Sequence, residues 1–318
     1  SAEATDPDSW LEIPSYLSYS IRSVVGKENV RNATVLLMHS TSGLRAWNEI
    51  EQIAQFEFAA SHASEAVKRV LNALNPGVTE RELAESLRLG SLPLSCHPMI
   101  SSGERTRFGL ASPSDKPIEL GEPFQIAIGV QGGLTCRAGW VAESAEDLPE
   151  GVRDYVERLA GPYFACAAAW YETIGLGVTG GELDALVKSH LGDSFFGVTL
   201  NPGHLIHLDE WMNSPIYPQS EERLRSGQAL QLDIIPATGT AYGTANIEDG
   251  VVLLDEEARA EFARRFPSAW ARIEMRRAFM GEKLNIQLKP EVLPMSNMAG
   301  YLAPFMLSPS SVFVQDSA

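Results

Sequence analysis

Basic side chains are scarce in this chain: 25 Lys and Arg stand against 41 Asp and Glu, a net charge of −16. A surface of that sign repels nucleic acid and anionic lipid, and no basic stripe with interleaved aromatics offsets it. Neither a nucleic-acid nor a membrane partner is expected. Long apolar runs are missing too. The longest, residues 163–171, falls far short of the roughly 20 residues that span a bilayer. Cysteine is rare: Cys96, Cys136 and Cys166 are odd in number and lack metal-type spacing. That suits reduced thiols in a cytoplasmic compartment better than a disulfide framework. The first ten residues are polar and acidic, without the basic start and apolar stretch of a signal peptide. One further absence is local. Residues 123–142 contain no Asp or Glu.

What is present can build a sizeable core: 318 residues, 44% of them hydrophobic, suffice for one large core or two modest ones. In the first 45 residues, Val35-Leu36-Leu37-Met38 reads as the clearest strand. From Asn48 onward Ile50, Ile53, Ala54, Ala63, Val67, Val70, Leu71 and Leu74 recur at helical spacing. That helix should stop at Asn75-Pro76-Gly77. Residues 255–284 read as helical and charge-rich, and residues 289–314, with four prolines, as extended segments or loops.

An internal repeat decides the fold class. The segment Leu74-Asn75-Pro76-Gly77-Val78-Thr79-Glu80-Arg81-Glu82-Leu83 returns 100 residues later (174 − 74) as Ile174-Gly175-Leu176-Gly177-Val178-Thr179-Gly180-Gly181-Glu182-Leu183. Each copy carries a capping-box pair, Thr79 with Glu82 and Thr179 with Glu182, in which hydroxyl and carboxylate satisfy each other's orphan amides. A second echo follows in the same order. Leu120-Gly121 leads into a strand containing Ala127, and Ser226-Gly227 into one containing Asp233, each six residues past its glycine. Two helix–cap–helix–strand halves imply an α+β architecture, with the sheets joined, the helices outside and a cleft between the halves.

Four segments, in order, resemble the superfamily of Xaa-Pro aminopeptidases, prolidases and creatinase. They are the helix and cap from Ile50 to Leu83, the loop Pro113-Ser114-Asp115, the run Gly203-His204-Leu205-Ile206-His207-Leu208-Asp209, and Asn246-Ile247-Glu248-Asp249 before Val251-Val252-Leu253. The resemblance implies a pita-bread fold, in which a curved antiparallel sheet carries helices on its outer face. It implies a pita-bread domain over residues 46–318, and leaves residues 1–45 as a short stub where relatives carry a larger amino-terminal domain. A homodimer is implied as well.

Active members of that superfamily hold two metal ions with two Asp, one His and two Glu. Carried over position by position, the first Asp falls on Ala127 and the second on Arg137, in a register uncertain by one. His204 matches the histidine. Asp233 matches the first Glu by the glycine count, with Ile235 before Pro236 as the competing position. Glu248 matches the last Glu. His204, Asp233 and Glu248 are therefore the candidate metal ligands, for one divalent ion (Mn, Co or Zn) at most, and no dinuclear centre is expected. The superfamily's two catalytic histidines are missing; Trp211 stands at one position, and His97 and His207 are nearby in sequence.

Three functions stay open. A hydrolase of C–N bonds in a small amino-acid-like substrate, working without a dinuclear site as creatinase does, would use His204 or His207 as proton shuttle. Glu248 and Asp233 would orient it, Arg137 would clamp the substrate carboxylate, and Trp211 would line the site. A non-catalytic binder of peptides or other ligands is the second. A single-metal Xaa-Pro aminopeptidase or dipeptidase is the third. Each residue also has a structural reading: a hydrogen-bonded core histidine for His204 or His207, and ion pairs between Arg137 and the two acids.

Overall fold

The computed structural model describes residues 11–316; the ten residues tested above for a signal peptide lie outside them. Eight α-helices and seven strands are placed among the described residues. The sheet is antiparallel throughout, in the order β1 (Met99–Ser102), β2 (Pro123–Val130), β3 (Gly133–Trp140), β6 (Asn246–Leu253), β5 (Ala229–Asp233) and β4 (His204–Leu205). Strand β7 (Val292–Pro294) pairs with Val251–Leu253 of β6, on the edge that β3 leaves free. The sheet does not close into a barrel.

The repeat is built as two matching units. Helix α3 (Ile50–Ala73) and short α4 (Glu80–Glu85) precede β2 and β3, while α5 (Gly161–Thr173) and α6 (Gly180–Leu191) precede β5 and β6. Both capping boxes form: Glu82 N–H donates to Thr79 Oγ1 and Glu182 N–H to Thr179 Oγ1, each at 3.2 Å. Both caps are tied alike to the segment that leads into β2 or β5, since Gly77 N–H donates to Ile118 O and Gly177 N–H to Leu224 O, each at 2.8 Å. The two glycines take φ of +94° and +82°, a region that side chains with a Cβ avoid.

Strand alternation divides the sheet into two faces. Phe124, Ile126 and Ile128 of β2 pack with Val67 and Val70 of α3 and with Leu74 just after it. Leu230 and Leu232 of β5, with Ile247 and Val251 of β6, belong to the core that includes Tyr163, Ala167 and Trp170 of α5. Each such side chain removed from water contributes on the order of 1.5–3 kcal/mol, so the helix layer fixes which residues must face the other way. Those are Gln125 and Ala127 of β2, Cys136 of β3, Glu248 of β6 and Asp233 of β5.

Elsewhere the chain departs from expectation in two places. Residues 34–38 form α2 (Thr34–Met38), not a strand; Leu36, Leu37 and Met38 are good helix formers, and no sheet edge is offered to them. It follows α1 (Ser15–Val25). This leading segment is tied on by Asn213 Nδ2 donating to Met38 O (2.7 Å) and Gln228 Nε2 to Ser40 O (3.1 Å). The charge-rich helical stretch is divided into α7 (Glu256–Arg265) and α8 (Pro267–Lys283), because Pro267 has no N–H to continue the first helix. No helix among the described residues is long and apolar enough to cross a membrane.

Candidate metal centre

Register brings four side chains into one row across the sheet: Ala127 pairs with Cys136, Cys136 with Glu248, and Glu248 with Asp233. The row ends beside His204 on β4, whose Cα partner is Gln231. Pro236 follows β5 and, lacking an N–H, stops the strand shortly after Asp233. Gly203 sets His204 in place: its φ is +130°, and a Cβ there would lie 2.8 Å from Gln231 O and 3.2 Å from the Trp170 ring. Trp170 Nε1–H also holds Pro202 O, at 2.9 Å.

His204 Nε2 lies 3.6 Å from Glu248 Oε1, 3.7 Å from Asp233 Oδ2 and 3.7 Å from Glu210 Oε1. These distances are too long for hydrogen bonds. The other ring nitrogen, Nδ1, lies 3.2 Å from Leu205 O, a contact that favours the proton on Nδ1 and leaves the Nε2 lone pair facing the acids. His204 is 1% exposed, Glu248 6% and Asp233 9%, and Nε2, Glu248 Oε1 and Asp233 Oδ1 have no hydrogen-bond partner. Buried polar atoms normally have one. One donor atom from each residue falls within 4.8 Å of the others.

Burial, then the charge of Glu248, pushes the Asp233 carboxyl well above the usual carboxylate range. Burial followed by Glu210 does the same to Glu248. Glu210 is raised by burial, with His204 opposing. Three acids thus crowd one imidazole. A divalent cation would relieve that repulsion and satisfy all three orphaned atoms, and one imidazole with two carboxylates is a donor set that Zn, Mn or Co accepts. The residues fit one ion. A second would need donors from the first half, where Ala127 offers none.

Arg137 is not brought to this cluster, which corrects the placement expected from sequence counting. It is Cys136 that stands in the row. The Arg137 guanidinium lies on the helix-facing side, where Nη2 donates to Asp249 Oδ2 at 2.7 Å and to Met298 O at 2.5 Å, and Nη1 to Cys136 O at 2.6 Å. Neighbouring strand residues point to opposite faces, so an error of one in the count reverses the assignment. Arg137 and Asp249 form a buried ion pair, 2% and 0% exposed.

His207 also turns away. Its Nδ1 lies 3.4 Å from Arg45 Nη2 and its Nε2 3.3 Å from Gln52 Nε2 of α3, with Phe56 edge-on. Arg45 in turn binds Asp209, and burial, then Arg45, lowers the His207 pKa. His97 is exposed, with Nε2 2.9 Å from Leu110 O. Trp211 does reach the site: its ring centroid is 6.1 Å from that of His204, and the residue is 53% exposed. Sequence reasoning missed Glu210, although an acid six residues beyond His204, in the loop that returns to β4 through the Leu205–Asn213 bridge, was a usable signal.

The metallopeptidase family M24 model matches residues 54–255, a span containing the whole cluster. An uncharacterized peptidase of Bacillus subtilis (strain 168), YqhT, is 25% identical over 256 residues, covering 77% of this chain and 68% of that protein. A Xaa-Pro dipeptidase from Bacillus anthracis superimposes with a TM-score of 0.61 at 22% identity, covering 79% of this chain and 69% of its own. A prolidase from Thermococcus sibiricus gives 0.64 at 18% identity, covering 77% and 68%. The pita-bread fold that the resemblance implied is shared with these structures.

Proposed function

The chain belongs to metallopeptidase family M24, and on that footing we propose that it is a single-metal peptidase acting on short peptides. The observation that supports this best is the convergence of three buried, unpartnered donor atoms of His204, Asp233 and Glu248. Of the three functions open at the outset, the metal-free one loses its substrate clamp, because Arg137 is committed to Asp249 on the other face. Xaa-Pro substrates are the first to try, given the names of the structural neighbours.

His204, Asp233 and Glu248 would hold the ion. A divalent cation in such a site supplies Lewis-acid polarisation of a carbonyl and a bound water of lowered pKa. The surplus of acid beside the site draws the cationic amino end of a peptide toward it. Glu210 is the residue placed to move a proton: it adjoins the cluster, its carboxyl is raised toward neutrality by burial, and its side chain keeps 30% exposure. Trp211 forms an apolar wall against which a substrate side chain or proline ring can pack.

Metal analysis of protein purified without chelator, with a panel of Xaa-Pro and other dipeptides, tests this. One divalent ion per chain and hydrolysis lost in His204→Ala are expected. No ion bound on titration with Mn, Co or Zn would refute it. Ala127 in the row favours the non-catalytic binder as a second reading; peptides that raise the melting temperature of the metal-loaded protein without turnover would establish it instead.

A further inference from the structure

Glu248 has a thiol as its cross-strand neighbour, and His204 Nε2 and Glu248 Oε1, both in side chains more than nine-tenths buried, point without partners toward the same space. Directly paired residues on one face of an antiparallel sheet have Cβ atoms about 5 Å apart. Cys136 is free, and its charged neighbours include Glu248 and Asp233. Its backbone is pinned, since Cys136 O accepts from Arg137 Nη1 at 2.6 Å.

Building on the single-ion reading, we infer that Cys136 is a fourth protein ligand to the metal, making the site a Cys-His-Asp-Glu centre selective for zinc over manganese. The sulfur does not belong to the set of atoms that already meet within 4.8 Å. It has one side-chain torsion, and rotation between staggered positions changes its direction without moving the pinned backbone. As the S–metal bond forms, the thiol proton leaves to solvent. A thiolate is a soft donor that zinc accepts readily and manganese poorly, and zinc with four protein ligands can expand to five, which keeps a place for the water that the peptidase reading requires. The imidazole and carboxylates already bind zinc more tightly than manganese, and the thiolate widens that margin. Cys96 is the competing thiol, because its Sγ would lie 2.7 Å from a Cβ at Gly129, two residues along β2 from Ala127.

Titration of the full chain with Co(II), a spectroscopic probe for zinc, tests the inference. The wild-type protein should bind one Co(II) with a thiolate-to-cobalt charge-transfer band in the near ultraviolet. Cys136→Ser should still bind one Co(II), at an unchanged melting temperature of the apoprotein, but without the band. Its zinc affinity should fall by more than about tenfold, with manganese affinity unchanged. Cys96→Ser should keep the band. If Cys136→Ser unfolds, Cys136→Ala serves the same comparison. Co(II) bound without a charge-transfer band in the wild type, or a band lost in Cys96→Ser and kept in Cys136→Ser, would overturn the role of Cys136 while leaving the single ion in place. No Co(II) or zinc bound would overturn both.

Discussion

Arg137→Ala separates a structural role for this residue from one in the site. The substitution removes the donor at 2.7 Å from Asp249 and leaves that carboxylate, 0% exposed, with only neutral hydroxyl partners, Ser296 and Thr135 (Oγ1 at 3.4 Å). Breaking a buried pair this way costs about 3–5 kcal/mol. Lost packing of the guanidinium stem adds to this. Domains of 150–250 residues lose roughly 2–4 °C of melting temperature per kcal/mol. A fall of about 6–20 °C is therefore expected in a thermal scan of the apoprotein. Arg137→Met with Asp249→Leu removes both charges and should recover most of the loss, since an apolar replacement of comparable volume is often neutral or better. The proposed metal site lies on the opposite face, so Co(II) stoichiometry in Arg137→Ala should stay at one. A melting temperature unchanged by the single substitution, or metal binding lost while stability is kept, would refute the assignment.

Three further outcomes follow from the same geometry. Ala127→Asp combined with Cys136→Asp restores oxygen donors to the row, and the ions bound per chain should rise from one to two by metal analysis; a count still at one would mean the row does not frame the site. Glu57 is buried, which alone would raise its carboxyl, but Arg272 and Arg276, at 2.9 and 2.7 Å, hold it below the usual value of 4.5. A depressed carboxylate contributes stability fully above its unfolded pKa and loses it as pH falls through the folded one, so Glu57→Gln should destabilise the protein at neutral pH and give a flatter loss of stability below pH 4.5 in acid titrations. Thr179→Ala removes a capping box at the start of α6 and should cost about 1 kcal/mol in urea denaturation; Thr79→Ala should cost a similar amount at α4.

Most of the fold was legible in one dimension because its determinants are local. A capping box needs two residues three apart, the turn after the first helix needs a glycine two residues before the capping Thr, and a buried strand needs alternation; all of these recur in both halves of the sequence. The same locality made His204, Asp233 and Glu248 legible, since each sits at a fixed count from a glycine or at a set place in a short motif. Residues 34–38 were misread for the complementary reason: a short apolar run takes the structure that its surroundings offer, and the sheet offers it no edge.

By itself, then, the sequence determined the doubled α+β plan, the absence of acids from β2 and β3, and the three candidate ligands of the second half. Tertiary structure decided which neighbours share a face. Whether Cys136 or Arg137 joins the row depends on a register in which one residue reverses every side chain, and that register is fixed by Ile126, Ile128 and Ile247 burying themselves under the sheet. Glu210 reaches His204 because its loop folds back onto β4 through the Leu205–Asn213 bridge, which the six-residue spacing hints at and only the fold completes. The candidate metal site is written in residues; its boundary is set by packing on the far side of the sheet.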